Sequence, residues 1–94
     1  MHILHIEHDA SPDYDTWKEA FDSDPLGRQR SGVRRHWVTR AIDDPNHVMI
    51  DLMFDSEQEA EGFRASLREM WQRGNAPMRN PSARTVEVAE MREY

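Results

Sequence analysis

A histidine set between carboxylates is the chain's clearest candidate for chemistry. His5, Asp51 and Glu87 fall in three segments that alternate apolar with polar residues, the pattern of half-buried β-strands. In HILHIEH (residues 2–8), Leu4 and Ile6 oppose Ile3, His5 and Glu7. In HVMIDLMF (47–54), Val48, Ile50, Leu52 and Phe54 oppose His47, Met49, Asp51 and Met53. In ARTVEVAEM (83–91), Val86 and Val88 oppose Thr85, Glu87 and Ala89. If Leu4, Val48, Val86 and their like turn inward, His5, Asp51 and Glu87 meet on the outer face. Negative neighbours raise an imidazole's pKa and orient it, so the trio suits a general base with two orienting carboxylates. The same residue types bind divalent metals, but the spacing matches no metal motif, and no metal is expected. A hydrogen-bonded cluster that fixes the register of an interface is the simpler use of the same groups.

The outer face would also carry Met49, Met53 and Thr85, and Trp37 joins them if Val33, Arg35, Trp37 and Thr39 point the same way. Methionines and a tryptophan make an adaptable surface for a planar ligand, so these four are the expected ligand-binding residues. Trp71 ends a helical stripe, and Tyr14 and Trp17 lie on another; all three read as core. His2, His8, His36 and His47 read as surface or strand-end residues. DPLGRQRSG (24–32) lacks a dinucleotide fingerprint and a following helix, and the chain has neither a serine elbow nor HExxH. No cofactor is expected.

Two helices position these strands. After the break at Asp9–Pro12, either Ser11 with Pro12 or Asp13 can cap a helix over about 13–22, whose Tyr14, Trp17 and Phe21 form one stripe. Asp24-Pro25 ends it. GVRRHWVTRA (32–41) is the second strand, IDDPN the turn into the third. Ser56 and Glu59 form a capping box for a helix over about 56–72, with Ala60, Phe63, Leu67, Met70 and Trp71 inward. Gly74 and Asn75 offer its stop.

Ninety-four residues with net charge -6 suit one domain, residues 1–94. An acidic chain is a poor nucleic-acid ligand, and the cluster Arg28, Arg30, Arg34, Arg35 and Arg40 has too little aromatic interleaving for a stacking platform. No apolar run approaches the ~18 residues of a membrane span, and no leader precedes the first strand, so a cytoplasmic protein is expected. With no cysteine, disulfides are excluded.

The order strand, helix, strand, strand, helix, strand, with right-handed crossovers, gives an α+β ferredoxin-like sandwich, βαββαβ, with strand order fourth, first, third, second. Its outer face mixes Ile3, Met49 and Met53 with charges, which marks an interface or a ligand site.

The stretch GVRRHWVTRAIDDPNHVMIDLMFDSEQEAEGF resembles the dimeric α/β-barrel superfamily, in particular its small antibiotic-biosynthesis-monooxygenase-like members. The landmarks are the glycine opening the second strand, the D-D-P-N turn and the acidic capped helix ending in phenylalanine. DYDTWKEAFDSDPLGR is similar to an uncharacterised bacterial branch. The resemblance implies a homodimer whose two sheets form a barrel. It also implies relatives that are cofactor-free oxygenases of polyketide-like aromatics, haem degraders, lactone isomerases or proteins without known activity. The haem degraders use a histidine on the second helix, and residues 56–72 contain none. Two functions follow. One is a dimeric module that binds a small molecule or a partner. The other is a cofactor-independent monooxygenase or isomerase, with His5 as base, Asp51 and Glu87 as orienters and Trp37 against the substrate. The module is the favoured expectation.

Overall fold

The third strand explains the sheet. His47–Phe54 alternates half-buried and buried residues along its whole length, as a strand with one face on a core must. The computed structural model describes every residue except Asn75. It orders the chain as β1 (His2–Ala10), α1 (Tyr14–Asp22), β2 (Arg35–Arg40), β3 (His47–Phe54), α2 (Glu57–Gln72) and β4 (Met78–Glu87). The four strands form one antiparallel sheet in the order β2-β3-β1-β4. This is the ferredoxin-like α+β fold expected from the sequence.

Local chemistry sets the helix ends. Asp13, rather than Ser11, caps α1: its Oδ1 accepts from the Thr16 N–H at 2.9 Å. The Ser56 Oγ accepts from the Glu59 N–H at 3.1 Å, which satisfies one of the free donors at the start of α2. At its far end Gly74 takes φ +75. Asn75, expected to share in that stop, lies outside the described residues.

Both helices bury against the same sheet face. Trp17 of α1 and Ala60, Phe63 and Leu67 of α2 join Leu4, Ile6, Val48, Ile50, Leu52 and Phe54 in one cluster. Leu4, Val48 and Phe54 are fully buried, and the Phe54 and Phe63 rings meet at 5.7 Å. Burying each such side chain contributes roughly 1.5–3 kcal/mol. Val33 also enters this core, ahead of β2. No described helix is long and apolar enough to cross a membrane.

β4 departs from the expected face. It begins at Met78, and Met78 pairs with Ala10 on the helix side. Strict alternation from there would keep Val86 inward. The register instead shifts between Glu7 and Asp9, where β4 holds Asn80 and Pro81 against the single residue His8. Asn80 takes φ +54 in this bulge. One extra residue flips every later side chain to the other face. Ala83 and Thr85 therefore turn inward opposite Ile6 and Leu4, Glu87 lies opposite His2, and Val86 turns outward opposite Ile3. Val86, expected inward, and the pair Thr85 and Glu87, expected outward, are exchanged, while Val88 lies past the end of β4.

Candidate functional site

The flip divides the expected trio. His5 and Asp51 stand directly opposite each other on β1 and β3, with Nδ1 of the ring 2.7 Å from the Asp51 Oδ1. Glu87 has the parity of the helix-facing residues and takes no part; Arg84 occupies the β4 position opposite His5. Glu7 supplies the second carboxylate, its Oε2 2.9 Å from the His5 Nε2. The Glu7 Oε1 lies 2.9 Å from the His47 Nε2, and the His47 Nδ1 lies 3.0 Å from the Asp9 Oδ1. Asn80 closes the line by donating to the Asp9 Oδ2 at 3.2 Å. The result is a continuous chain, Asp51–His5–Glu7–His47–Asp9–Asn80, across the open face of the sheet.

Each carboxylate in the line favours the charged ring beside it. For His5, burial opposes the charge, but its hydrogen bonds to Asp51 and Glu7 outweigh it and raise the pKa. Hydrogen bonds to Asp9 and Glu7 raise that of His47. The rings in turn hold Glu7 and Asp9 below the usual carboxylate range. A ring that carries both protons has no lone pair to offer, and both nitrogens of His5 already face carboxylate oxygens. Of the expected ligand-binding residues, Trp37 lies opposite Asp51, Met49 opposite Glu7 and Met53 opposite Ile3, all on this open face. Thr85 lies on the other side.

That other side contains a cavity of about 320 Å³ between the sheet and both helices, within the size range of small-molecule sites. Its lining is mostly apolar: Ile6, Trp17, Phe21, Phe63, Met70 and Trp71, among others. Ser23, Asp24, Arg28 and Arg73 add polar groups to the wall, and His8 is its buried titratable ring. The residue is 1% exposed, its ring meets Trp17 at a tilt with centroids 4.7 Å apart, and neither ring nitrogen has a hydrogen-bond partner among the described residues. Burial pushes its pKa down against a smaller upward pull from the Asp9 backbone, so the neutral ring is favoured, and neither nitrogen reaches full hydrogen-bond geometry with a described residue. The Trp71 Nε1 is a second buried group without a partner among those residues. Near Phe21, the Arg28 guanidinium donates to the Phe21 carbonyl at 2.9 Å and lies 3.9 Å over its ring.

Sequence reasoning missed both histidines that matter most. His47 faces Asp9 because the β1–β3 pairing runs the full length of both strands. His8 has the parity of Leu4 and Ile6 within HILHIEH, which already turned it inward, and β1 continues past it to Ala10.

No family model and no curated protein matches the chain. Solved structures do. An antibiotic-biosynthesis-monooxygenase-like protein from Deinococcus radiodurans matches with TM-score 0.66 and 14% identity over 100% of this chain and 98% of its own. A dimeric ferredoxin-like protein from an uncultured marine organism matches with TM-score 0.63 and 10% identity over 99% and 100%. Rv0793 from Mycobacterium tuberculosis gives 0.58 and 15% over 99% and 98%. At these identities what the chain shares with all three is its ferredoxin-like fold.

Proposed function

We propose that the protein is a homodimer that binds a small, largely apolar molecule in the cavity between sheet and helices. The observation that carries this reading is His8. A buried imidazole with both nitrogens unpartnered is costly to keep, and it stands in the wall of a cavity of about 320 Å³. A ligand with one hydroxyl or carbonyl group on an apolar body would satisfy it once a small side-chain movement turns a ring nitrogen into the open space, since both nitrogens are now covered; the Trp71 Nε1, covered in the same way, offers a further donor on the same condition. The dimer is supported by the mixed open face and by the dimeric ferredoxin-like neighbour.

A second reading makes the site catalytic. A neutral imidazole keeps a lone pair that can take a proton from an acidic C–H or O–H group, which fits the monooxygenase-like neighbour. In that case His8, rather than His5, is the base.

Titration with 1-naphthol, followed by the imidazole ¹⁵N and ¹H spectrum, tests the site. Saturable binding should shift the His8 ring signals. His8→Leu should weaken it roughly fivefold, the equivalent of about 1 kcal/mol for one hydrogen bond, while Trp37→Phe leaves it unchanged. Binding that follows Trp37 and ignores His8 would move the site to the open face.

A further inference from the structure

The line of side chains on the open face has a protonation requirement written in its geometry. All four ring nitrogens of His5 and His47 lie 2.7–3.0 Å from carboxylate oxygens. A neutral imidazole has one N–H and one lone pair. Only the doubly protonated ring can donate at both nitrogens, so loss of either proton sets a lone pair against a carboxylate oxygen.

The face around the line contains its own complement. At its centre are Asp51, Glu7 and Asp9. On the edge strand β4, Arg84 lies opposite His5 and Arg79 opposite Asp9, and Arg35 on β2 lies opposite Met53. None of the three arginines forms an ion pair among the described residues. Met53, Ile3 and Val86 form an apolar row across three strands, and Trp37 and Val86 are exposed. An acidic centre, basic edges and an apolar row on one patch are what an isologous two-fold contact requires.

We propose that a second copy of this chain closes the open face, with Arg79 and Arg84 of each copy seated on the Asp51–His5–Glu7–His47–Asp9 line of the other, and that the contact holds only while both imidazoles carry a proton. This rests on the dimer read above and deepens it. With both rings protonated, the three carboxylates of each line meet two imidazolium and two guanidinium groups. With both rings neutral, each ring turns a lone pair toward one of its carboxylate oxygens, and burying that repulsion under the second copy is costly. No helix contributes a group here, since both helices pack on the opposite face; the charged groups facing the rings are Glu7, Asp9, Asp51, Arg35, Arg79 and Arg84.

Sedimentation velocity of the full chain at about pH 6 and about pH 9, at one ionic strength, reads this out. The dimer dissociation constant should rise at least ~10-fold at the higher pH, the factor that one unit of pKa coupling supplies. His5→Gln with His47→Gln keeps hydrogen-bonding amides without the charge and should flatten that dependence. His5→Gln alone serves if the double variant fails to fold. Arg79→Gln with Arg84→Gln should weaken the dimer at both pH values. A dimer whose constant ignores pH overturns the proton coupling and leaves the dimer standing. An unchanged constant in the arginine variant overturns the seat. A monomer throughout overturns the dimer itself and this proposal with it.

Discussion

The His8 and Trp17 rings meet 4.7 Å apart, tilted by 49°, on the wall of the cavity. Burial favours the uncharged imidazole there. The unfolded chain binds a proton at the ordinary histidine value of about 6.5, and the folded chain resists it. Stability from His8 is therefore full above that value and falls as pH drops below it, at no more than ~1.4 kcal/mol per pH unit. His8→Leu should lose this part of the slope between about pH 7 and pH 5, as measured by urea unfolding. An identical slope in both proteins would mean that His8 is solvated.

His5 and His47 titrate with the opposite sign, though His5 belongs to the same strand as His8. Their carboxylate partners raise both pKa values. Their stabilisation is complete below about pH 6.5 and is lost as pH rises through the raised folded values. Both side chains are about one-third exposed, so solvent screens the effect and it is modest. At concentrations too low for self-association, the melting temperature of the wild type should fall more between about pH 6.5 and pH 9 than that of His5→Gln/His47→Gln. Equal falls would show that the line contributes nothing within one chain.

The sequence made β3 legible because each of its eight residues obeys alternation, and the α2 cap because Ser56 carries the right oxygen at the right place; for α1 it left Ser11 and Asp13 both open, and Asp13 is the cap. The outward face of His5 and Asp51 followed from the same alternation. What it hid was parity in β4. Nothing in MRNPSARTVE announces that Asn80 and Pro81 share one place opposite His8, and that extra residue exchanges Thr85 and Glu87 for Val86. His47 and Asp9 were hidden differently: each is an ordinary strand-end residue until register sets them opposite each other. The cavity was least legible, because it is the space left between packed elements rather than a property of any one of them.

Thr85 tests the parity flip directly. Its hydroxyl is buried with no hydrogen-bond partner among the described residues, on the helix side opposite Leu4. Thr85→Val preserves shape and removes that cost, so it should stabilise the protein by ~1 kcal/mol. For a chain of this size that is a rise in melting temperature of roughly 4–8 °C. Destabilisation instead would place the hydroxyl in water on the open face, where the sequence alone puts it.

Gly32 and Gly62 should respond to alanine with opposite signs. Gly32 opens the approach to β2 at φ +105, and a Cβ there would lie 2.5 Å from the Glu59 Oε2. Glu59 is held in turn by the α2 cap, where its N–H donates to the Ser56 Oγ and its Oε1 accepts from that hydroxyl at 3.3 Å. Gly32→Ala therefore adds left-handed backbone strain and pushes Glu59 off the cap, at ~1–3 kcal/mol. Gly62 sits within α2, exposed, with nothing within 4 Å of an added Cβ. There alanine only improves helix propensity, by about 0.8–1 kcal/mol. Thermal unfolding of the two variants separates the cases. If Gly32→Ala costs nothing, the glycine that opens the second strand is not tied to the start of α2, and the link between hairpin and helix lies elsewhere.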